Sequence, residues 1–328
     1  MKKLTLTFLL AHSIFFYFIN QKDNTAFIER NSNTSSHKID RSAEKMRSFI
    51  MKISKYAKEH NPEFYIIPQN GIELCFNELE FSQGTHQKYI NSIDGIGIES
   101  LFYPTKNANT KEKLKALNSI KDLKQILVSD YTKSLKQISY SNQRNSNEDF
   151  ISFPRTKNNY DYSIIPTQLN NENNRDIKSL DNAKNFLYLI NFSNFKSKKE
   201  VLEKLKNTNY DLLLIDLFFN ETPFTLNEIK ELKIKKNGGK RLLISYINIG
   251  AAENFRYYWK PKWKLGSPSW LRKEYEGYHD EFWVQFWKRP WQKIIYGNRE
   301  SYIKKILDTG FDGAYLDNVE CYYFLNFD

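Results

Sequence analysis

Short apolar runs alternate with amphipathic stretches along most of this chain. Eight runs predict strands: FYIIPQN (64–70), IDGIGIE (93–99), QILVSDY (125–131), FLYLIN (186–191), YDLLLID (210–216), RLLISYIN (241–248), FWVQFW (282–287) and FDGAYLD (311–317). Most of these runs are almost continuously apolar, which is typical of strands that are covered on both faces of a parallel sheet. YSIIP (162–166) is a ninth candidate, which we leave out of the count.

Helical patterns separate these strands. In segment 42–60 the apolar residues Met46, Phe49, Ile50, Ile53 and Ala57 recur at helical spacing, and further helices are predicted around 111–122, 197–207 and 225–236. Alternating strands and helices indicate βαβ units, and eight strands predict an α/β fold of the (β/α)8 TIM-barrel type. A doubly wound open sheet is the alternative, but no G-x-G-x-x-G or P-loop motif follows any strand.

The amino-terminal residues predict an exported protein. Lys2 and Lys3 precede an apolar run from Leu4 to Ile19, so residues 1–20 are either a signal peptide or an uncleaved anchor. We expect the protein to be associated with a membrane only if this segment is an uncleaved anchor. We expect residues 21–41 to be flexible, residues 167–184 to be a linker, and the protein to be a monomer located in the periplasm, outside the cell or on the outer side of the membrane.

Composition and motifs narrow the chemistry. The net charge of +11 is spread over lysines along the whole chain, and no nucleic-acid-binding module accompanies it. The histidines lack metal-ligand spacing, and there is no G-x-S-x-G motif for a serine nucleophile. We therefore expect no nucleic-acid partner, metal or cofactor, which leaves acid catalysis by carboxyl groups.

One segment resembles a known family. It is YINIGAAENFRYYW (246–259), with Tyr246, Asn248, Gly250, Glu253 and Arg256, followed later by GFDG (310–313) and Asp317. This pattern is similar to the glycoside hydrolase group of endo-α-1,4-polygalactosaminidases and their uncharacterised bacterial and archaeal relatives. Many of those relatives carry Glu where this chain has Ala251.

The resemblance also predicts an unusual order of the two half-barrels. Segment 46–131 is similar to the part that follows the GFDG strand in the family, although it comes first here. The resemblance therefore implies a circular permutation, in which a carboxyl-terminal half-barrel (42–166) precedes an amino-terminal one (185–328). A fusion of two fragments would give the same sequence.

The resemblance implies that Asp317 and Glu99 are the catalytic acids, since glycoside hydrolysis needs two carboxyl groups beside the scissile bond. Asp216 would bind sugar hydroxyls, or form a salt bridge to Arg256 or Arg241. Glu253 and Arg256 would contact the substrate or pair with each other. The remaining substrate-binding candidates are Asn248, Asn70, Asp130, Tyr131, Asn318 and Trp259.

Aromatic residues and cysteines complete the expected mouth of the barrel. Trp259, Trp263 and Trp270 lie in a loop-like stretch, where at least one could stack on a pyranose ring. In the permuted arrangement Cys75 and Cys321 would lie in neighbouring loops, either as a disulfide or as two free thiols. The hypothesis is an exported enzyme that hydrolyses a polysaccharide, with polymers of amino sugars among the candidate substrates. The alternative is a catalytically inactive carbohydrate-binding or cell-envelope protein.

Overall fold

The computed structural model describes residues 33–103 and 110–325, which form a mixed α/β fold. Its strands are β1 Tyr65–Pro68, β2 Gly95–Glu99, β3 Gln125–Ser129, β4 Tyr131–Thr132, β5 Ile151–Ser152, β6 Arg155–Thr156, β7 Phe186–Leu189, β8 Leu212–Asp216, β9 Phe218–Phe219, β10 Thr222–Pro223, β11 Leu242–Asn248, β12 Ala251–Glu253, β13 Leu271–Tyr275, β14 Tyr278–Val284 and β15 Gly313–Asp317.

The α-helices in this part of the chain are α1 Asn33–His60, α2 Gln87–Ile90, α3 Thr110–Asn118, α4 Leu135–Asn147, α5 Lys198–Lys206, α6 Leu226–Leu232, α7 Arg289–Ile295, α8 Tyr302–Thr309 and α9 Cys321–Phe324. Short 3-10 turns lie at Ile72–Cys75, Asn77–Leu79, Phe81–Gln83, Lys157–Asn159 and Leu180–Asn182. None of the helices in the described residues has both the length and the apolar character needed to span a bilayer.

Two parallel sheets carry the fold. The first has the order β1–β15–β11–β8–β7, and the second has the order β2–β3–β5. A parallel bridge between Gln69 and Gly97 joins β1 to β2, so the two sheets are neighbours. Every residue of β8 and β11 is buried, as the continuous apolar runs predicted for strands covered on both faces.

One of the eight strand assignments is wrong. FWVQFW was expected in the parallel set, but β14 pairs antiparallel with β12 and β13 in a separate small sheet. Two parallel strands were missed: β5, which pairs with β3, and β6, which pairs with β4. Each has only two residues and therefore no readable periodicity. YSIIP, which the strand count left out, forms no strand.

Helix α1 confirms the predicted amphipathic pattern. Met46, Phe49, Ile50, Ile53 and Ala57 are all fully buried in the core. The helix begins at Asn33, so it includes residues 33–41 of the segment that was expected to be flexible. The proposed signal or anchor, residues 1–20, lies outside the described residues. Helix α9 packs against α1, which brings the two ends of the described chain together.

Residues 167–184 are attached to the amino ends of the strands. Asp211, which precedes β8, accepts hydrogen bonds from Asn173 Nδ2 and from the Lys184 backbone N–H. It also forms a fully buried ion pair of 3.1 Å with Lys235. Since Asn173 also accepts from Lys235, this segment is part of the packed structure at that edge.

Candidate active site

The carboxyl ends of the parallel strands surround one cavity of about 820 Å³. Two of the predicted acids, Asp317 at the end of β15 and Glu99 at the end of β2, both lie in its wall. Other predicted site residues that line it are Asp216, Glu253, Arg256, Asn70, Tyr131 and Asn318. Asn248, Asp130 and Trp259 are not among the lining residues.

Asp317 is held in a partly buried, polar setting. Tyr246 donates its phenolic hydrogen to Oδ2 at 2.6 Å, and the Asn318 backbone N–H donates to Oδ1 at 2.7 Å. Burial raises the pKa of Asp317 to about 7, the nearby charge of Glu99 raises it as well, and the Tyr246 hydrogen bond opposes the increase. Asp317 can therefore exchange a proton near neutral pH.

Glu99 lies in a different environment, which contains a cation. Arg155 Nη2 is 3.2 Å from Glu99 Oε1, and the Tyr162 hydroxyl also bonds to this oxygen. Arg155 itself is 4.1 Å above the Tyr162 ring, so the guanidinium is fixed by stacking as well as by charge. The negative charge of Glu99 is paired in this arrangement.

Glu320 is a third acid of the cavity, which the sequence analysis missed. Burial raises its pKa to about 8, and Asn70 Nδ2 donates to its Oε2 at 3.3 Å. Asn70 Oδ1 accepts from the Glu99 backbone N–H at 3.1 Å, so this one amide connects Glu320 to the end of β2. Glu320 follows Asp317 by only three residues, which is the signal that could have identified it.

Asp216, Arg256 and Glu253 form one ionic network. Arg256 donates to both oxygens of Asp216, at 2.9 and 2.7 Å, and to both oxygens of Glu253, at 2.7 and 3.1 Å. The ion-pair alternative is therefore present in each case, because Asp216 pairs with Arg256 and so does Glu253. Arg241 bonds elsewhere, to Thr208 and backbone carbonyls.

Three predicted residues lie away from the cavity. Asp130 is fully buried and accepts from the Phe102 and Tyr103 backbone N–H groups and from Ser141. Asn248 is used locally, because its Oδ1 accepts from the Ala251 N–H at 2.8 Å. The Trp259 ring stacks on Phe282 at 5.2 Å and meets Trp263 edge-on at 5.4 Å, in a packed tryptophan cluster.

Another set of aromatic side chains lines the cavity. Trp283 stacks on Tyr275 with ring centroids 4.3 Å apart, and Tyr275 meets Tyr278 at 5.3 Å. On the other side, Trp283 contacts Phe324 at 5.0 Å. This row of rings comes from the β13–β14 hairpin and α9, and we call it the aromatic wall.

The structure describes both cysteines as buried, free thiols, which agrees with the second of the two alternatives. Among the described residues no group of three or more His, Cys, Asp or Glu side chains is arranged to hold a metal ion. Glu281 and Arg155 are further cavity residues that were not predicted: Glu281 lies one residue before the run FWVQFW, and Arg155 lies on the two-residue strand β6.

A family model described as glycoside-hydrolase family GH114 matches residues 182–327. This confirms the resemblance over the segment that contains β7, β8, β11 and β15. The chain is also 33% identical over 151 residues to an uncharacterized protein, MJ1477, of Methanocaldococcus jannaschii, an alignment that covers 46% of this chain and 41% of the relative.

Two bacterial relatives are similar. An uncharacterized protein of Thermotoga maritima is 29% identical over 119 residues, covering 36% of this chain and 35% of the relative. An uncharacterized protein of Deinococcus radiodurans is 31% identical over 122 residues, covering 37% of each chain. The chain spans less than half of the length of these curated relatives.

Proposed function

We propose, starting from the match of residues 182–327 to glycoside-hydrolase family GH114, that this protein hydrolyses glycosidic bonds of a polysaccharide with Asp317 and Glu99 as its two carboxyl groups. The observation that carries the proposal is that Asp317 and Glu99, at the carboxyl ends of β15 and β2, both line one cavity. Burial there raises the pKa of Asp317 to about 7. A carboxyl group that is still partly protonated at neutral pH can act as a general acid.

The different environments of Asp317 and Glu99 support different roles for the two carboxyl groups. Asp317 would protonate the leaving oxygen of the glycosidic bond, because it holds a proton near neutral pH. Glu99, paired with the Arg155 cation at 3.2 Å, would act as the carboxylate that attacks the anomeric carbon or activates water. Catalysis by two carboxyl groups in different settings is the general pattern of glycosidases.

The cavity favours a substrate that contains amino sugars. The net charge of +11 repels a cationic polymer at long range, but acidic residues outnumber basic ones in the cavity wall. Local attraction at the site can therefore hold a protonated amine, while the aromatic wall suits the apolar face of a pyranose ring.

We extend the proposal to a closed, circularly permuted (β/α)8 barrel. Eight parallel strands support it, together with the Gln69–Gly97 bridge between the sheets. At the other junction the Tyr162 carbonyl accepts from the Ile190 and Asn191 N–H groups, and Phe153 lies 5.5 Å from Phe186. A rearranged chain, with residues 167–328 placed before residues 42–166, should fold with the same circular dichroism spectrum; failure to fold would argue against permutation.

Hydrolysis is tested with Asp317→Asn and Glu99→Gln on a panel of neutral, N-acetylated and amine-bearing polysaccharides, by following new reducing ends. We expect each variant to lose about 10²-fold or more in turnover, the lower range for a positioned acid or base, while saccharide binding persists. Asp308→Asn, on the exposed face of α8, is the control. Saccharide binding without turnover in the unaltered protein would instead indicate the carbohydrate-binding alternative.

Export is part of the proposal as well. It rests on the Lys2-Lys3 pair and the apolar run Leu4–Ile19. Residues 1–40 fused to a reporter should direct it out of the cytoplasm, and the size of the fusion will distinguish a cleaved signal from an anchor. Retention of the reporter inside the cell would exclude this location.

A further inference from the structure

The antiparallel pair β12–β14 places two glutamates side by side above Asp317. Glu253 and Glu281 are direct partners in the register of these strands, and both line the cavity. Side chains of directly opposite residues in an antiparallel pair lie in contact range, so two negative charges here would repel each other. The arrangement of cations around them decides which one carries a charge.

The cation serves only one of the two glutamates. Arg256 uses Nε and Nη2 on Glu253, at 2.7 and 3.1 Å, and Nη1 and Nη2 on Asp216. Glu281 is bonded by a neutral group, since Asn248 Nδ2 donates to its Oε2 at 3.3 Å. The guanidinium is therefore already shared between two carboxylates.

The charged and titratable groups that face Glu281 come from every neighbouring element: Glu253 on β12, Arg256 in the following loop, Asp280 on its own strand, Asp317 on β15, Tyr246 on β11 and Tyr275 on β13. The acids among them outnumber the single cation. Burial and the charges of Glu253 and Asp317 raise the pKa of Glu281 well above its ordinary value.

We propose that Glu281 is a neutral carboxylic acid at pH 7 and acts as a positioning residue for the site. As a neutral partner it lets Glu253 keep both bonds to Arg256, and it limits the negative charge next to Asp317. Ionisation of Glu281 at alkaline pH would place a further negative charge beside Glu253 and Asp317. The proton on Glu281 therefore sets an upper limit to the pH at which this arrangement of charges persists. The catalytic consequence rests on the proposed function, whereas the location of the proton does not.

Glu281→Gln tests the location of the proton, because Gln has the shape of the neutral acid and cannot ionise. In the folded state a neutral Glu281 keeps its proton. In the unfolded chain the same carboxyl group loses that proton once the pH exceeds its ordinary, unshifted pKa. The stability that this proton contributes is complete below the unfolded pKa and is lost as the pH rises toward the folded pKa. The variant should therefore become more stable than the unaltered protein, with the ratio of their unfolding constants growing about tenfold per pH unit in this window.

Two further variants make the comparison specific. Glu253→Gln, on the opposite strand, should destabilise the protein at pH 7 because Arg256 loses one of its two ionic partners. Asp308→Asn, on the exposed face of α8, should leave the pH dependence unchanged. If Glu281→Gln is destabilised at pH 7 as Glu253→Gln is, or if its curve runs parallel to that of the unaltered protein, Glu281 is ionised and the proposal is wrong.

Turnover gives the second readout. In a protein that hydrolyses its substrate, Asp317 sets the alkaline limb of kcat/KM, and this limb should stay in place in Glu281→Gln because Gln has the charge of the neutral acid. A move of the limb to lower pH would mean that Glu281 carries a negative charge beside Asp317 in the unaltered protein, and the proposal would be wrong. If no substrate is turned over, the proposed function fails, but the unfolding curves still locate the proton. If the variant does not fold, ¹³C spectra of the unaltered protein labelled at glutamate side chains should show a carboxyl that is protonated at pH 7 and whose signal is missing from Glu281→Asp labelled in the same way. Absence of such a signal from the unaltered protein would overturn the proposal.

Discussion

Tyr246 and Asp317, on the adjacent parallel strands β11 and β15, are joined by a hydrogen bond of 2.6 Å from the phenol to Oδ2. This bond stabilises the ionised form of Asp317 and opposes the effect of burial on its pKa. In Tyr246→Phe the pKa of Asp317 should therefore rise further, and the alkaline limb of the pH–rate profile should move to higher pH. The measurement is kcat/KM against pH.

Tyr188→Phe is the matched control for that variant. Tyr188 is also a buried tyrosine of the cavity, but its hydroxyl donates to Gln69 Oε1 at 2.9 Å. Its removal should leave the alkaline limb in place. Equal shifts in both variants would mean that the general polarity of the cavity, rather than this hydrogen bond, tunes Asp317.

Arg256 should be among the most sensitive positions for stability. Arg256→Ala leaves two carboxylates, Asp216 and Glu253, without their cation in a buried setting, so we expect a loss of about 3–5 kcal/mol in the free energy of unfolding. Arg256→Lys should recover only part of it, because an ammonium group cannot bond both carboxylates in two-pronged fashion. Urea denaturation measures both.

The control for Arg256 is an exposed ion pair. Lys204 pairs with Glu200 at 3.1 Å on helix α5, and its side chain is 54% exposed. Lys204→Ala should cost no more than about 1 kcal/mol. A similar loss for Arg256→Ala would show that water solvates the Asp216 and Glu253 carboxylates readily.

Gly250 has no room for a side chain. A Cβ at this position would lie 2.0 Å from the Asn318 carbonyl oxygen, in the loop that directly follows Asp317. Gly250→Ala should displace that loop, lowering stability by about 1–3 kcal/mol and turnover along with it. Gly266→Ala is the comparison, since open space surrounds it and only its backbone angle, φ +77°, opposes a side chain. If Gly250→Ala keeps full turnover, the loop is not held by this contact.

The aromatic wall and the tryptophan cluster should respond differently to substitution. Trp283 lines the cavity, so Trp283→Ala should weaken saccharide binding by about 1–3 kcal/mol, in the range of a buried aromatic contact. Trp259 packs against Phe282 and Trp263, so Trp259→Ala should lower the melting temperature with little change in KM. Isothermal titration with oligosaccharides measures the binding affinity of both variants. A large loss of affinity in Trp259→Ala would support the predicted role of Trp259 as a sugar platform.

The elements that could be predicted were those with long, regular patterns. β8 and β11 are continuous apolar runs, and α1 repeats its apolar residues at helical spacing, so local sequence alone identifies them. β5 was not predicted, because two residues have no period and the apolar run around them, FISF (150–153), is shorter than the runs that were counted as strands. β14 reads as a parallel strand from its aromatic residues, but its first residues are exposed, which reflects its place in a small antiparallel sheet.

The residues of the candidate site likewise fall into those that the sequence could predict and those that it could not. Asp317, Glu99 and Asp216 could be located because they end strands that the pattern identifies. Arg155 could not, because the two-residue strand β6 that carries it has no period. Glu281 could not, because the antiparallel pairing of β14 with β12, which the sequence did not indicate, brings it to the cavity. Asp130 shows the opposite case: it follows a strand as the others do, yet the Phe102 N–H and the Ser141 hydroxyl already occupy its oxygens.

The attachment of residues 167–184 beneath the strands has a consequence for engineering. Asn173 binds Asp211 at the amino end of β8, whereas Asp216 and the cavity lie at the other end of that strand. Residues 170–172 are exposed at this edge. A domain or surface anchor inserted there would extend away from the mouth, so the protein could be immobilised while a long polymer still reaches its cavity.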